Sequence, residues 1–372
     1  MFLVRSTRDE IGLLFSPILT TAPMPHPTLR PRLAANLSFL WPELPFLNRF
    51  QAARASGFDA VEFMFPGDGA YRHTAAEIGA ELERCDLSLA LLNSPSGDWG
   101  AGERGVGGLA HREDEWQASL RTGLAYASEL GSPRLHVMAG LTTDGADEDV
   151  FVDRLCRASA EAASTRVRRR RGRRRRRTRI QDGGSSSAVG GDDSGSDDDD
   201  DSGGVCLCVE VLNPHDFPDY LVPDLETALR IVERVEARVR ASMGVTTETI
   251  YSTDNSTRGR GTGGRGNVAL QLDLYHVAMT EGTDGAAMAR AVDRYLPHTA
   301  HVQVANPPGR NEPGVGDVAF DPLFAQLEAA GYDGWVGCEY RPSGTKTTEE
   351  SLEWATPYLS SGSGSDCGPN TE

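Results

Sequence analysis

VCLCVEVLNPHD, residues 205–216, reads as a strand that stops at an acid and gives way to a polar, turn-rich loop. Apolar and β-branched residues crowd the run up to Glu210, and Asn213-Pro214 marks the turn beyond it. The same figure recurs three times downstream: ALQLD ends on Asp273, AHVQ on Gln303 and WVGCE on Glu339. Laid side by side and parallel, these four runs aim three carboxylates and one amide oxygen into a single mouth. Such a set repels itself unless a hard cation sits among it.

Upstream, strand-like runs occur at Leu33–Leu37, Ala60–Phe63, Leu87–Leu92 and Arg134–Met138. Helix-like stretches fall between the strands, at Leu44–Ser56, Thr74–Cys85, Glu113–Leu130, Glu148–Ala163, Asp224–Val239, Ala286–Tyr295, Pro322–Ala330 and Thr348–Leu359. Gly57 and Gly131 stop two helices, and Asp321-Pro322 reads as a cap followed by a first-turn proline. Eight strand–helix units in series predict a single-domain α/β fold, a (β/α)8 TIM barrel spanning residues 32–360.

Two segments break the rhythm. Residues 164–204 carry RVRRRRGRRRRRTR followed by a Gly/Ser/Asp tract, and residues 240–266 are rich in Gly, Thr, Ser and Arg. Charge at that density has nothing to bury, so both read as disordered inserts. Without them about 260 residues remain between the first strand and the last helix, close to the ~250 of an ordinary barrel. Each insert lies between a helix and the next strand, which places it on the face opposite the strand ends where barrel enzymes keep their chemistry. The leader (1–31) and the tail (361–372) read as flexible.

A net charge of −17 argues against nucleic acid or an anionic membrane as a partner of the barrel. Nowhere does an apolar run approach the ~20 residues of a membrane span. The leader holds Asp9 and Glu10 and lacks a clean cleavage site, so it is not read as a signal peptide; organelle targeting stays open beside a cytoplasmic location. Cys85, Cys156, Cys206, Cys208, Cys338 and Cys367 form no C-x-x-C pair, so reduced thiols are expected rather than a zinc site. Lys346 is the only lysine, which leaves Schiff-base chemistry almost no candidate.

A lone acid at a strand end is ordinarily a cap or half of an ion pair. Four donors on strands five to eight, in order, point instead to a cation site made by Glu210, Asp273, Gln303 and Glu339. All-oxygen donors favour Mg²⁺ or Mn²⁺. His276, three residues past Asp273, is placed to hydrogen-bond a substrate oxygen from the loop. His301 shares a strand face with Gln303 one layer deeper and reads as a core histidine; His136 fits either role. Arg310 is either a clamp for a substrate carboxylate or a solvent-exposed loop arginine.

The segments AANLSFLW, AVEFMFP, SGDWGAGERG, RLHVMAG, EVLNPHD, LQLDLYH, HVQVANPPGRNEPG and GYDGWVGCEYRP together resemble hydroxypyruvate isomerases of the xylose-isomerase-like barrel superfamily. The similarity runs from about Arg32 to Tyr358 with the inserts omitted. It implies interconversion of hydroxypyruvate and tartronate semialdehyde, with Glu210 and Glu339 as paired catalytic acids and bases. Metal ligands would be Glu210, Asp273, Gln303 and Glu339, and His276 and Arg310 would contact a small hydroxy-keto acid. Asn311 departs from the family's usual histidine, and Asn306 from an acidic or small residue. A 2-oxo-tetronate isomerase, a ketose 3-epimerase and an abasic-site endonuclease are the competing enzymes; an interaction hub acting through the Arg/Asp insert is the non-enzymatic one. A homo-oligomer is compatible with all of them.

Overall fold

A computed structural model describes residues 31–65, 73–168, 204–242 and 267–360. The leader up to residue 30, most of both inserts and the tail from 361 lie outside the described residues, as does Cys367.

Eight strands follow one another around a closed, all-parallel barrel: β1 (Arg32–Asn36), β2 (Ala60–Phe63), β3 (Ser88–Asn93), β4 (Arg134–His136), β5 (Cys206–Glu210), β6 (Val268–Asp273), β7 (Thr299–Val304) and β8 (Trp335–Cys338). Strand β1 pairs with both β2 and β8, which closes the ring and leaves no edge. Both faces of most strands are buried, as expected where helices cover the outside and side chains fill the lumen.

The surrounding helices are α1 (Phe46–Ala55), α2 (Ala75–Arg84), α3 (Glu113–Leu130), α4 (Glu148–Ser164), α5 (Leu225–Ser242), α6 (Leu274–Glu281), α7 (Gly285–Tyr295) and α8 (Phe320–Ala329). Several starts carry their own signal. Thr74 and Glu77 form a reciprocal capping box on α2, and Asp147 and Asp284 accept the backbone N–H groups of Val150 and Ala287. Gly131 ends α3 in the left-handed region at φ 78°, a conformation that costs glycine nothing.

The structure departs from the sequence expectation in four places. Helix α8 starts at Phe320 behind an uncapped Ala319, so Asp321 lies inside the first turn and does not cap it. The expected Thr348–Leu359 helix is a short 3₁₀ segment, Glu350–Ala355. An extra helix, α6, follows β6 with no intervening loop and carries His276 in its first turn. Ser164 still belongs to α4 and Arg240–Ser242 to α5, so each insert begins later than the composition suggested.

The described ends of the first insert sit at the N-terminal face. The Arg168 N–H donates to the Ser128 carbonyl near the end of α3, and the Val205 N–H donates to the Ala162 carbonyl near the end of α4. The opposite face is closed at the β1–β8 seam by Trp41, whose backbone N–H donates to Thr348 Oγ1 and whose indole donates to Glu349 at 2.6 Å. These bonds hold the loop carrying Phe39 over the C-terminal mouth.

Candidate active site

The four sequence-picked donors do converge. Glu210 and Asp273 are the last residues of β5 and β6, Gln303 is the penultimate residue of β7, and Glu339 follows β8 directly. Asp273 stands beside Gln303 in the parallel register, and all four are buried. Glu210, Gln303 and Glu339 open onto a cavity of about 760 Å³ whose wall includes His136, Trp99, Phe217, Arg310 and Arg341, while Asp273 lies behind that wall.

One nitrogen ties two of the acids together. Arg310 Nη2 lies 3.1 Å from Asp273 Oδ2 and 3.0 Å from Glu339 Oε1. Arg310 is therefore not the solvent-exposed loop residue; it is 8% exposed, and its guanidinium lies 5.1 Å from the Phe39 ring centre and 4.9 Å from that of Tyr275. Its own loop is held shut by reciprocal backbone bonds between Asn306 and Asn311 at 2.7 and 2.9 Å. The Asn306 side chain braces Val318, and Asn311 Nδ2 donates to the Arg341 carbonyl. The two departures from the family pattern thus support the arginine's loop and do not line the cavity.

Asp273 has a double role. Its Oδ1 caps α6 by accepting the Tyr275 N–H at 2.9 Å, while Oδ2 faces Arg310 and, at 3.6 Å, His276 Nε2. The capping role that a lone strand-end acid ordinarily has is present here together with the site role.

His276 is fixed as a donor by its neighbours. The Asp216 N–H donates to Asn213 Oδ1, which sets the Asn213 amide so that Nδ2 faces both Asp216 Oδ2 and His276 Nδ1. The Asn213 backbone N–H also points at Nδ1, at 3.1 Å. With two donors on Nδ1, the ring proton belongs on Nε2, the atom facing Asp273. Burial, then Arg310, holds this imidazole well below its usual pKa, so it is neutral. Although Glu210, Asp273 and His276 can offer ligand atoms within 4.8 Å of one another, a protonated Nε2 cannot coordinate a metal. His276 Nε2 has no hydrogen-bond partner among the described residues, so its proton remains available to donate.

The acids are crowded and dry. Burial lifts Glu210 well above the carboxylate range, with Glu339 and Asp273 adding to the rise. Burial pushes Glu339 up to about 8, against the pull of Arg310, and Asp273 up to about 6, again against Arg310. His136 Nδ1 lies 3.5 Å from Glu210 Oε2, and burial holds its imidazole down at about 3. Glu210 Oε1 is buried with no hydrogen-bond partner among the described residues. Two carboxylates bridged by a single nitrogen, a third with an unpaired oxygen, and an amide beside them suit a divalent cation with oxygen preference. The donor set fits one.

Sequence reasoning missed Glu62, on β2. Its fully buried carboxylate accepts Asn36 Nδ2 at 3.0 Å, Gln303 Nε2 at 2.7 Å and His301 Nε2 at 2.6 Å. An acid inside the otherwise apolar run AVEFMF was the available signal, because a buried charge has to find partners. His301 is the deeper-lying histidine expected, joined to the site through Glu62. Lys346 sits on the cavity rim with Nζ 2.7 Å from Glu312, which favours its charged form and keeps it from acting as a nucleophile. The described cysteines are all free thiols.

Residues 50–249 and 258–358 match the family described as Xylose isomerase-like TIM barrel. The chain is 33% identical over 333 residues to the 2-oxo-tetronate isomerase of Cupriavidus necator, covering 88% of this chain and 99% of that protein. It is 29% identical over 327 residues to the hydroxypyruvate isomerase of Escherichia coli, again covering 88% and 99%. Among solved structures, an AP endonuclease, family 2, from Brucella melitensis matches with a TM-score of 0.66 and 33% identity over 88% of this chain and 99% of that one.

Proposed function

This chain belongs to the xylose isomerase-like TIM barrel family and is an isomerase; from that premise we propose that it interconverts hydroxypyruvate and tartronate semialdehyde through an enediolate. The observation that carries the reading is one cavity lined by two buried glutamates of raised pKa, Glu210 and Glu339, with Arg310 inside it.

The reaction moves one proton from C3 to C2 and a second between the two oxygens. Glu210 and Glu339, on β5 and beyond β8, have the strands of Asp273 and Gln303 between them, which supports roles on two sides of a ligand bound there. One, as carboxylate, takes the carbon-bound proton; the other, as acid, returns one to the neighbouring carbon. An acid–base partner with a pKa near 8 is poised for this at neutral pH, and each such transfer contributes ~10²–10⁴-fold. His276 donates Nε2–H to the oxygen that gains negative charge, in the manner of a neutral imidazole electrophile. Arg310 pairs with the substrate's carboxylate. Glu210, Asp273, Gln303 and Glu339 would hold Mg²⁺ or Mn²⁺, which supplies Lewis-acid polarisation of the carbonyl.

The cavity is roomier than a three-carbon acid requires, and the Cupriavidus relative is named for a four-carbon one, so a 2-oxo-tetronate is the second substrate to try. Arg310 facing inward favours an acid over a neutral sugar, which weighs against a ketose 3-epimerase. The Brucella relative's name raises a nuclease, but the net charge of −17 disfavours a DNA-facing rim. Incubation of metal-replete protein with hydroxypyruvate in deuterated water tests the proposal. Aldehyde formation with deuterium at carbon is expected; no turnover of hydroxypyruvate or a 2-oxo-tetronate would refute it.

A further inference from the structure

Glu62 lies one layer beneath the donors and touches none of the reacting atoms, yet its three partners all lead to the site. Asn36, its register neighbour on β1, and His301, from β7 across the lumen, hold the carboxylate on two sides. The remaining bond comes from Gln303 Nε2, at 2.7 Å. An amide has one nitrogen end and one oxygen end, and a carboxylate accepts only from the nitrogen. Gln303 Oε1 is thereby turned away from Glu62, and it accepts Gln271 Nε2 at 2.6 Å. Rotated by half a turn, the same amide would set its oxygen against the oxygens of Glu62.

The backbone of β8 makes room for this arrangement. A Cβ built on Gly337 would fall 2.3 Å from Glu62 Oε1 and 2.4 Å from Oε2. The glycine of WVGCE, directly opposite Gln303 in the register, is thus required by the carboxylate lying over it.

We propose that Glu62 is a positioning residue that selects the orientation of the Gln303 amide, presenting its oxygen to a divalent cation, and that Gly337 is glycine to admit that carboxylate. The inference rests on the cation reading of the four donors and adds to it a residue that acts through one of them. Outer partners of this kind typically alter metal affinity about 10- to 100-fold.

The test is calorimetric titration of the full chain with Mn²⁺ alone, for the wild type, Q303L, E62M, E62Q and the double variant E62M/Q303L. E62M is expected to weaken Mn²⁺ binding about 10- to 100-fold. E62Q retains an acceptor oxygen for Gln303 and is expected to stay near the wild type while E62M, of similar size, does not; a merely space-filling role would leave both variants near the wild type. E62M should cost nothing further once Gln303 is already leucine. Wild-type affinity in E62M alongside a weakened Q303L overturns the proposal and spares the cation site. An E62M penalty of equal size in the Q303L background also overturns it. Undiminished binding by Q303L overturns both. If E62M does not fold, G337A probes the same contact from the other side: weakened Mn²⁺ binding supports the proposal and unchanged binding refutes it.

Discussion

Arg310 Nη2 and Glu339 Oε1 are 3.0 Å apart, so the arginine expected to grip the substrate's carboxylate pairs with a carboxylate of the protein. The same nitrogen holds Asp273, so a cation bound there and the guanidinium draw on the same two oxygens. Replacing Arg310 with methionine leaves two buried acids without their partner. R310M should unfold more easily in the absence of divalent ions, by about 3–5 kcal/mol, the usual penalty for breaking a buried pair. Mn²⁺ should restore more stability to R310M than to the wild type, and KM for the acid substrate should rise. Thermal melts with and without Mn²⁺ give the answer; equal stabilisation of both proteins would disprove the competition.

The raised acids give stability a definite slope with pH. Between the unfolded values near 4 and the folded values of about 6 for Asp273 and 8 for Glu339, the native state binds more protons than the unfolded one. Their contribution is therefore present at low pH and lost as pH climbs through that window. Without divalent ions, wild-type Tm should fall relative to E339Q as pH goes from 5 to 8.5. Added Mg²⁺ should stabilise more at pH 8 than at pH 6, since it binds the deprotonated acids. A wild-type minus E339Q difference that is flat across the range would contradict the assignment.

Glu210 and Glu339 are expected to be separately indispensable to turnover. E210Q or E339Q should lower kcat by ~10²–10⁴-fold while the far-ultraviolet circular dichroism is unchanged. Exchange of the substrate's carbon-bound proton with deuterated water, read by NMR, should be lost with it. Retained exchange in either variant assigns that residue to binding alone.

Asn213 donating to His276 Nδ1 leaves Nε2 with its proton and sets the histidine's role. H276L should therefore reduce kcat/KM while weakening Mn²⁺ binding by no more than the about 10- to 100-fold that loss of an outer partner costs. Calorimetry measures this; a loss of Mn²⁺ affinity beyond that range would make His276 a ligand.

The first insert joins the barrel at the face opposite the site, beside Ser128 and Ala162. Replacing residues 169–203 with a short Gly-Ser linker should leave kcat/KM within about 2-fold of the full chain, since barrel chemistry resides on the other face. A large loss would show that the insert takes part in function.

The strand ends were legible because a buried strand is an uninterrupted apolar run, and an acid that closes such a run is conspicuous. Glu210, Asp273, Gln303 and Glu339 were found that way. Glu62 carried the same signal, but it stands alone on β2, far in sequence from the other four. The helix caps were less legible: Asp321 looks like a cap, yet α8 starts at Phe320, two residues before the expected Pro322, with Phe320 packed on Phe324.

Local residue order thus determined the eight successive strands and placed Glu210, Asp273, Gln303 and Glu339 at the C-terminal rim, because period and punctuation are properties of neighbours along the chain. Closure of the ring decided the rest. Whether Arg310 faces water or two carboxylates, which nitrogen of His276 keeps its proton, and which end of the Gln303 amide faces the acids depend on groups 29 to 241 residues away. Hydrogen bonds and Coulomb forces act through space, so those choices exist only once the strands have been brought together.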